Sequence, residues 1–243
     1  MKSLGPTTPA DLAERYRVIL ARPENPENIG LVARCMKNTG FSELRLVGVE
    51  GIDEKSRKTA VHAQDILEKT RIYPDLSVAV EDLELVFAAT SKKRKNFPTI
   101  PLQEAVEKMF RYPSSTKIGL LFGNERTGLI SNELRSSNFR FTIPQAGKQP
   151  PYNLASAVLL TLFHIHTYQS SKKTDTESDK PLSRKEQEEC IRLIVDKLEK
   201  RKFIHETNRC HMTDMVYDLF GRLALTEKDR NLVLALFSKA VDR

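Results

Sequence analysis

Ile118-Gly119-Leu120-Leu121-Phe122-Gly123-Asn124-Glu125-Arg126-Thr127-Gly128-Leu129 is the stretch that decides the fold. Its opening residues are continuously apolar, as in a central strand covered on both faces. A glycine turn then breaks the strand. Further along come Ile143-Pro144 and Pro150-Pro151-Tyr152-Asn153-Leu154-Ala155-Ser156-Ala157-Val158, a proline-rich loop that delivers Asn153 to the start of an apolar helix. Two tight loops beside strand ends make a small-molecule crevice.

Working outward, the same alternation recurs. Arg17 to Leu20 is a short strand, and Ala21 to Pro26 a loop in which two prolines bar regular structure. Asn28 is placed to cap a helix whose apolar positions Ile29, Val32, Ala33 and Met36 share one face. Gly40 ends it, and Leu44, Leu46 and Val47 form the next strand. Leu85 to Ala89 is another continuously apolar strand, Leu102 to Phe110 a helix, and Phe139 to Ile143 a strand. Asn153 to Tyr168 reads as a long helix, apolar on most sides and therefore well buried. Strands alternating with helices define an α/β domain with a largely parallel sheet.

Composition changes at Ser170. The segment Ser170 to Lys180 lacks any apolar residue and reads as a solvated linker. Beyond it, Ser183 and Glu186 fit a capping box ahead of Ile191, Ile194, Val195 and Leu198. Met212, Met215, Val216, Leu219 and Phe220 mark a second helix. Thr226 caps a third, which carries Leu232, Val233, Leu236 and Phe237. The expected organisation is a tail over residues 1–14, an α/β domain over 15–169, a polar linker over 170–182 and an all-helical extension over 183–243. That extension is too small to hold a good core alone, so it packs on the main domain or on another subunit.

The net charge of +7 and pI of about 9.3 suit a partner that is a polyanion, with a merely basic enzyme as the plain alternative. Cys35, Cys190 and Cys210 have no paired spacing, which argues against a disulfide framework and fits a reducing compartment. Cys190, His205, Cys210 and His211 lack the close paired spacing of a structural zinc site. Met1 to Asp11 has no apolar signal core, and Ala157 to Ile165 is far short of the roughly twenty residues that span a bilayer. A soluble cytoplasmic protein, with no membrane contact, is expected.

On the residues alone, each motif admits a plain reading. Gly123-x-x-x-x-Gly128 is followed by Leu129 and Ile130 rather than Lys-Ser/Thr, so it is no triphosphate-gripping loop. It is a strand-to-loop turn, or a place where backbone approaches a ligand closely. Asn153 and Asn28 are helix caps, and Arg34 lies off the apolar stripe on a solvated face. Lys92-Lys93-Arg94-Lys95 is a solvated run, or a basic rim beside the crevice suited to RNA phosphates.

Together these segments resemble the SPOUT class of RNA ribose methyltransferases, in the TrmH/SpoU family and its TrmJ-like branch. Asn28 to Phe41 is similar to the first motif of that branch nearly throughout. Phe122 to Leu129 resembles the second motif, and Ile143 with Pro151-Tyr152-Asn153 the third. Pro151-Tyr152 departs from the Ser-Leu that precedes the asparagine in TrmH-type sequences, whereas Ala155 follows the TrmJ-like pattern.

The resemblance implies a SPOUT fold, a Rossmann-like sheet with a C-terminal trefoil knot, in a homodimer. It implies S-adenosyl-L-methionine as cofactor, with Thr90, Ser91, Gly123, Glu125, Ile143, Pro151, Tyr152 and Asn153 around it and no metal. Arg34 and Asn28 become the catalytic candidates. A guanidinium stays protonated, so Arg34 would hold a phosphate or stabilise charge on the ribose oxygen rather than act as a base. Lys92, Lys93, Arg94 and Lys95 would bind RNA. The implied activity is 2′-O-methylation of tRNA at anticodon-loop nucleotide 32. Ribosomal RNA as substrate, or a non-catalytic RNA-binding protein on the same fold, are the alternatives.

Overall fold

Every strand of the sheet runs parallel to its neighbours. The computed structural model describes residues 9–91, 98–147, 149–171 and 179–239. Its strands are β1 (Tyr16–Ala21), β2 (Glu43–Val47), β3 (Arg71–Tyr73), β4 (Leu85–Ala89), β5 (Ile100–Pro101), β6 (Ile118–Phe122) and β7 (Phe139–Thr142). They lie in the order β3-β2-β1-β6-β4-β7-β5. The chain runs outward from β1 to β3, returns to lay down β4 and β5, and then inserts β6 between β1 and β4 and β7 between β4 and β5. Because the strands are parallel, all their carboxyl ends share one edge.

The helices are α1 (Pro9–Arg15), α2 (Pro26–Thr39), α3 (Glu54–Ala60), α4 (Gln64–Glu68), α5 (Leu76–Val80), α6 (Leu102–Met109), α7 (Ser131–Arg135), α8 (Leu154–Ser171), α9 (Arg184–Lys200), α10 (Arg209–Gly221) and α11 (Glu227–Lys239). Strand residues alternate between two apolar layers. Val18, Leu20, Leu85, Phe87, Leu120 and Phe122 pack under α2, α6 and α8. Ile19, Ala21, Val86, Ala88 and Leu121 pack under α5 and α7. Full burial of each large side chain contributes roughly 1.5–3 kcal/mol, which explains why the central strands are apolar on both faces.

Two expectations need correction. The helix after β1 begins at Pro26, and its cap is Asn25, whose side chain accepts from the Glu27 N–H. Proline suits the first helical position because its missing N–H would have no helical partner there. Asn28 is thus not a cap but lies inside the first turn, buried. Helix α8 is also less covered than its composition suggests. Leu159, Leu160 and Phe163 are exposed, with Phe163 56% accessible, because α2 and α6 cover only one side of it.

The C-terminal helices hold a small core of their own around Ile191, Ile194, Ile204 and Val216. They dock on the α5/α7 face of the sheet. The backbone N–H groups of Arg184 and Lys185 donate to Leu83 and Glu81 carbonyls, Asn138 donates to the Leu223 carbonyl, and Arg135 on α7 pairs with Asp218 on α10. Ser183 and Glu186 form the expected capping box. Leu182, at the end of the polar segment, is buried and donates to the Leu225 carbonyl.

Candidate active site

The carboxyl ends of three adjacent strands, β6, β4 and β7, open into one crevice of about 820 Å³ counted out to solvent at its mouth. Ala89, Thr90 and Ser91 line it from the end of β4, Gly123 to Leu129 from β6, and Ile143 from β7. Pro151, Tyr152, Leu154 and Ala157 close it from the loop and first turns of α8. Apolar walls with polar groups at the rim suit a small organic ligand better than a polyphosphate.

Each loop is held by its own sequence. Asn124, two residues past β6, organises the turn: its Oδ1 accepts from the N–H groups of Arg126 and Thr127 at 2.9 Å, and its carbonyl accepts from the Gly128 N–H. This is the local turn chemistry for which asparagine is favoured. Gly123 is required by the loop itself. A Cβ there would stand 2.4 Å from the Leu129 nitrogen and 2.5 Å from the Gly128 carbonyl carbon. The turn folds back onto Gly123, so a side chain is excluded before any ligand is considered. The third loop closes on itself through Gln145 Nε2 to the Pro150 carbonyl and the Tyr152 hydroxyl to the Pro144 carbonyl. The Thr90 N–H donates to the Phe141 carbonyl and fixes the end of β4 against β7.

A relay of side chains joins the three motifs. The Glu125 carboxylate accepts from the backbone N–H of Glu24 at 2.8 Å, from that of Asn25 at 3.2 Å and from Asn28 Nδ2 at 2.8 Å. A carboxylate only accepts, so Asn28 must turn its amide nitrogen toward it. The Asn28 Oδ1 is thereby free to accept from Asn153 Nδ2 at 3.0 Å. Asn153 in turn presents its Oδ1 to the Ala155 N–H and caps α8. Arg126 bridges from the same turn to Glu24. That hydrogen bond, followed by one from Asn124, holds the Glu24 carboxyl below its ordinary pKa.

Sequence reasoning named most of what meets here. Thr90, Ser91, Gly123, Glu125, Ile143, Pro151 and Tyr152 line the crevice. Asn28 and Asn153 stand behind it and brace its walls. Arg34 is not among the lining residues. It projects into solvent from α2 beside Cys35, whose thiol burial pushes up in pKa while the Arg34 charge opposes the shift. The run Lys92, Lys93, Arg94 and Lys95 lies outside the described residues. Asn124 was missed, although an asparagine directly before a charged turn is a legible signal. Arg22 was missed as well, and no local pattern points to it.

The parallel sheet and the three-loop crevice at its carboxyl edge agree with the resemblance of the motifs, and the comparisons place the chain in the SPOUT class of RNA methyltransferases. The chain belongs to the SpoU rRNA Methylase family, whose model matches residues 15–163. It is 31% identical over 211 residues to the tRNA (cytidine-2′-O-)-methyltransferase TrmJ of Methanocaldococcus jannaschii, covering 85% of this chain and 89% of that protein. It is 26% identical to the tRNA (cytidine/uridine/adenosine-2′-O-)-methyltransferase TrmJ of Pseudomonas aeruginosa, covering 94% of each. The crystal structure of TrmJ from Z. mobilis ZM4 superimposes with a TM-score of 0.76 at 27% identity, over 92% of this chain and 98% of that one. The likeness in sequence and structure therefore lies with the TrmJ-like branch.

Proposed function

We propose that the protein is an S-adenosylmethionine-dependent tRNA ribose 2′-O-methyltransferase acting on anticodon-loop nucleotide 32 in the cytoplasm. The observation that carries this reading is the Glu125–Asn28–Asn153 relay, which ties three separate chain segments into one wall of the crevice. The residues fit the cofactor. Gly123 to Leu129 lines it with loop backbone, Ile143, Leu154 and Ala157 offer an apolar bed, and among the described lining residues Arg126 is the one cation. When bound, S-adenosylmethionine supplies a methyl group on an already activated sulfonium, so the transfer calls for no metal.

This chain's contribution is positioning, which can supply roughly 7–11 kcal/mol of barrier lowering in favourable cases. Glu125, Asn28 and Asn153 hold the loops. Thr90, Ser91, Pro151 and Tyr152 border the donor. Arg34, outside the crevice on α2, is suited to reach the RNA. Its guanidinium can fork onto a phosphate and offset negative charge on the attacking ribose oxygen. Lys92, Lys93, Arg94 and Lys95, with the helical extension, grip the RNA backbone.

The proposal includes a homodimer. The Cys35 thiol contacts the Ala155 carbonyl between α2 and α8. Leu31, one turn before Cys35, and Leu159, one turn after Ala155, are both exposed, and Leu160 and Phe163 continue the apolar surface. A second copy of this face is a matching apolar partner, and Arg34 lies one turn beyond Leu31. Mapping of 2′-O-methyl groups by mass spectrometry, in RNA from cells with and without the protein, tests the whole reading. Loss at tRNA position 32 is expected. Loss confined to ribosomal RNA reassigns the substrate, and an unchanged map with intact RNA binding makes the protein a non-catalytic binder.

A further inference from the structure

Arg22 follows β1 directly and reads in the sequence as part of a plain loop. Its backbone lies in the left-handed region at φ +53°, which residues other than glycine rarely adopt unless their surroundings hold them there. Those surroundings are specific. The Arg22 N–H donates to the Val47 carbonyl at the end of β2, and its carbonyl accepts from Asn124 Nδ2 at 2.8 Å. The side-chain stem passes over Gly48, where an added Cβ would stand 3.1 Å from Arg22 Cγ. The guanidinium then forks onto Glu133, with Nε to Oε1 at 2.7 Å and Nη2 to Oε2 at 2.9 Å, and Nη2 also reaches the Gly128 carbonyl at 3.4 Å.

Glu133 is buried at the start of α7 and accepts from the Ile130 N–H at 2.8 Å. The loop from Asn124 to Leu129 is thus gripped at both ends by one residue. Asn124 is held through the Arg22 carbonyl, and the exit from Gly128 to Ile130 is held through the guanidinium and Glu133. Arg22, Ile130 and Glu133 do not line the crevice, yet Asn124, Gly128 and Leu129 do.

Resting on the methyl-donor reading above, we infer that Arg22 is a positioning residue: through Asn124, Glu133 and Gly128 it sets the shape of the loop against which the donor binds. Arginine is needed for this because a lysine ammonium cannot fork onto a carboxylate and reach a carbonyl in one plane. The bound donor gains from a loop already ordered in its binding shape.

The test uses the full-length protein and four variants: Arg22→Gln, Glu133→Gln, their double mutant, and Arg22→Gly. The last keeps the left-handed backbone at no steric cost and removes only the fork. Donor affinity is measured by calorimetry with S-adenosylmethionine, RNA affinity by filter binding, and loop order by amide hydrogen exchange. Each single variant is expected to weaken donor binding about ten-fold, as the loss of a charge-assisted hydrogen-bonded pair implies, with RNA affinity unchanged. The double mutant should lose no more than either single, since the pair acts as one unit. Amides of residues 124–129 should exchange faster while those of β1 and β6 keep their protection. A folded Arg22→Gly protein with unchanged donor affinity and unchanged exchange at 124–129 overturns the inference. So does a uniform rise in exchange across the sheet, which marks a general loss of stability. If the unmodified protein takes up no S-adenosylmethionine, the methyl-donor reading fails by itself. The exchange data then still decide whether Arg22 orders the loop.

Discussion

Asn28 and Glu125, 97 residues apart in the chain, meet at 2.8 Å with the asparagine amide donating to the carboxylate. The contact forces the orientation of both asparagines behind the crevice. An acceptor-only carboxylate at one end of the relay decides which atom Asn153 turns toward Asn28. Glu125→Gln replaces one of two accepting oxygens by a donor, which must then face one of the N–H groups of Glu24, Asn25 or Asn28. The change removes hydrogen bonds to a charged group, worth about 1.5–3 kcal/mol. S-adenosylmethionine affinity should fall at least ten-fold in calorimetry, while the sheet, followed by far-UV circular dichroism, is retained. Undiminished affinity would mean that the relay does not shape the crevice.

The two glycines of the same turn should respond differently to alanine. At Gly123 the new methyl meets backbone at 2.4 and 2.5 Å, which no side-chain rotation can relieve. At Gly128 there is open space, and only the positive φ of +67° resists a side chain. Gly128→Ala should cost roughly 1–2 kcal/mol, the penalty for the left-handed conformation. Gly123→Ala carries an overpacking cost of about 1–3 kcal/mol and must also move the loop. Thermal melting with donor titration separates them: Gly128→Ala lowers Tm by a few degrees with binding largely kept, whereas Gly123→Ala loses binding.

What the sequence made legible follows from where its information is local. β4 and β6 are continuous apolar runs because both faces of the sheet are covered, and they are readable as such, while β1 reads as a short strand that is apolar after Arg17. β3 is three residues with Arg71 and Ile72 exposed, and β5 is a two-residue edge, so neither has enough buried pattern to register. The short helices α3, α4, α5 and α7 give periodicity too few turns to work on. Asn28 looks like a cap because capping is a local rule, and its actual partner, Glu125, comes from the turn after β6, laid down much later. The left-handed backbone of Arg22 is dictated by β2 and β6 and leaves no mark on its own neighbours. A threaded chain, as the family resemblance implies, is likewise a property of topology that no periodicity carries.

Acid should expose a charge network at the opposite end of the sheet. Arg45, almost fully buried, pairs with Asp82 at 2.5 Å and with Glu43 at 2.6 Å. Burial pushes the Asp82 carboxyl up, but the hydrogen bonds and charge of Arg45 outweigh it and leave the pKa lowered. A carboxylate with a depressed folded pKa contributes stability that is in place above its unfolded value of roughly 3.9 and is lost as pH falls through the lower folded value. Urea midpoints recorded from pH 6 downward should therefore fall less steeply below about pH 4 in Asp82→Asn than in the unmodified protein. Parallel curves would show that Asp82 does not report on folding.

Phe163→Glu tests the paired face of α8. The side chain is 56% exposed, so a charge there should leave single-chain stability within about 0.5 kcal/mol. Inside an apolar interface the same carboxylate would be desolvated without a partner. Sedimentation velocity should show the unmodified protein as a dimer and the variant shifted to monomer at micromolar concentration. An unmodified protein that sediments as a monomer removes the dimer from the proposal.

Arg34 is the residue whose proposed role is least explained by its own chain. It is exposed on α2, outside the crevice, next to the apolar face assigned to a second copy. A side chain so placed contributes little to folding, so Arg34→Ala should keep the melting temperature. It should also keep S-adenosylmethionine affinity, because no wall of the crevice changes. Methyl transfer to tRNA should nevertheless fall by two orders of magnitude or more, about 2.7 kcal/mol, if the guanidinium acts on charge that develops only in the transition state. Arg34→Lys should recover little, since an ammonium cannot fork. Single-turnover transfer of a labelled methyl group at saturating donor isolates this step from binding. Mixing Arg34→Ala subunits with a Gly123→Ala partner, which cannot bind the donor, then asks whether the arginine serves its own crevice or its neighbour's. In mixed dimers, the two arrangements pair the defects differently. If Arg34 serves the partner's site, both defects fall on the same crevice and the other stays intact, so activity reappears. If each arginine serves its own crevice, every site carries one defect and activity stays absent. Full turnover by Arg34→Ala alone would take the residue out of the chemistry.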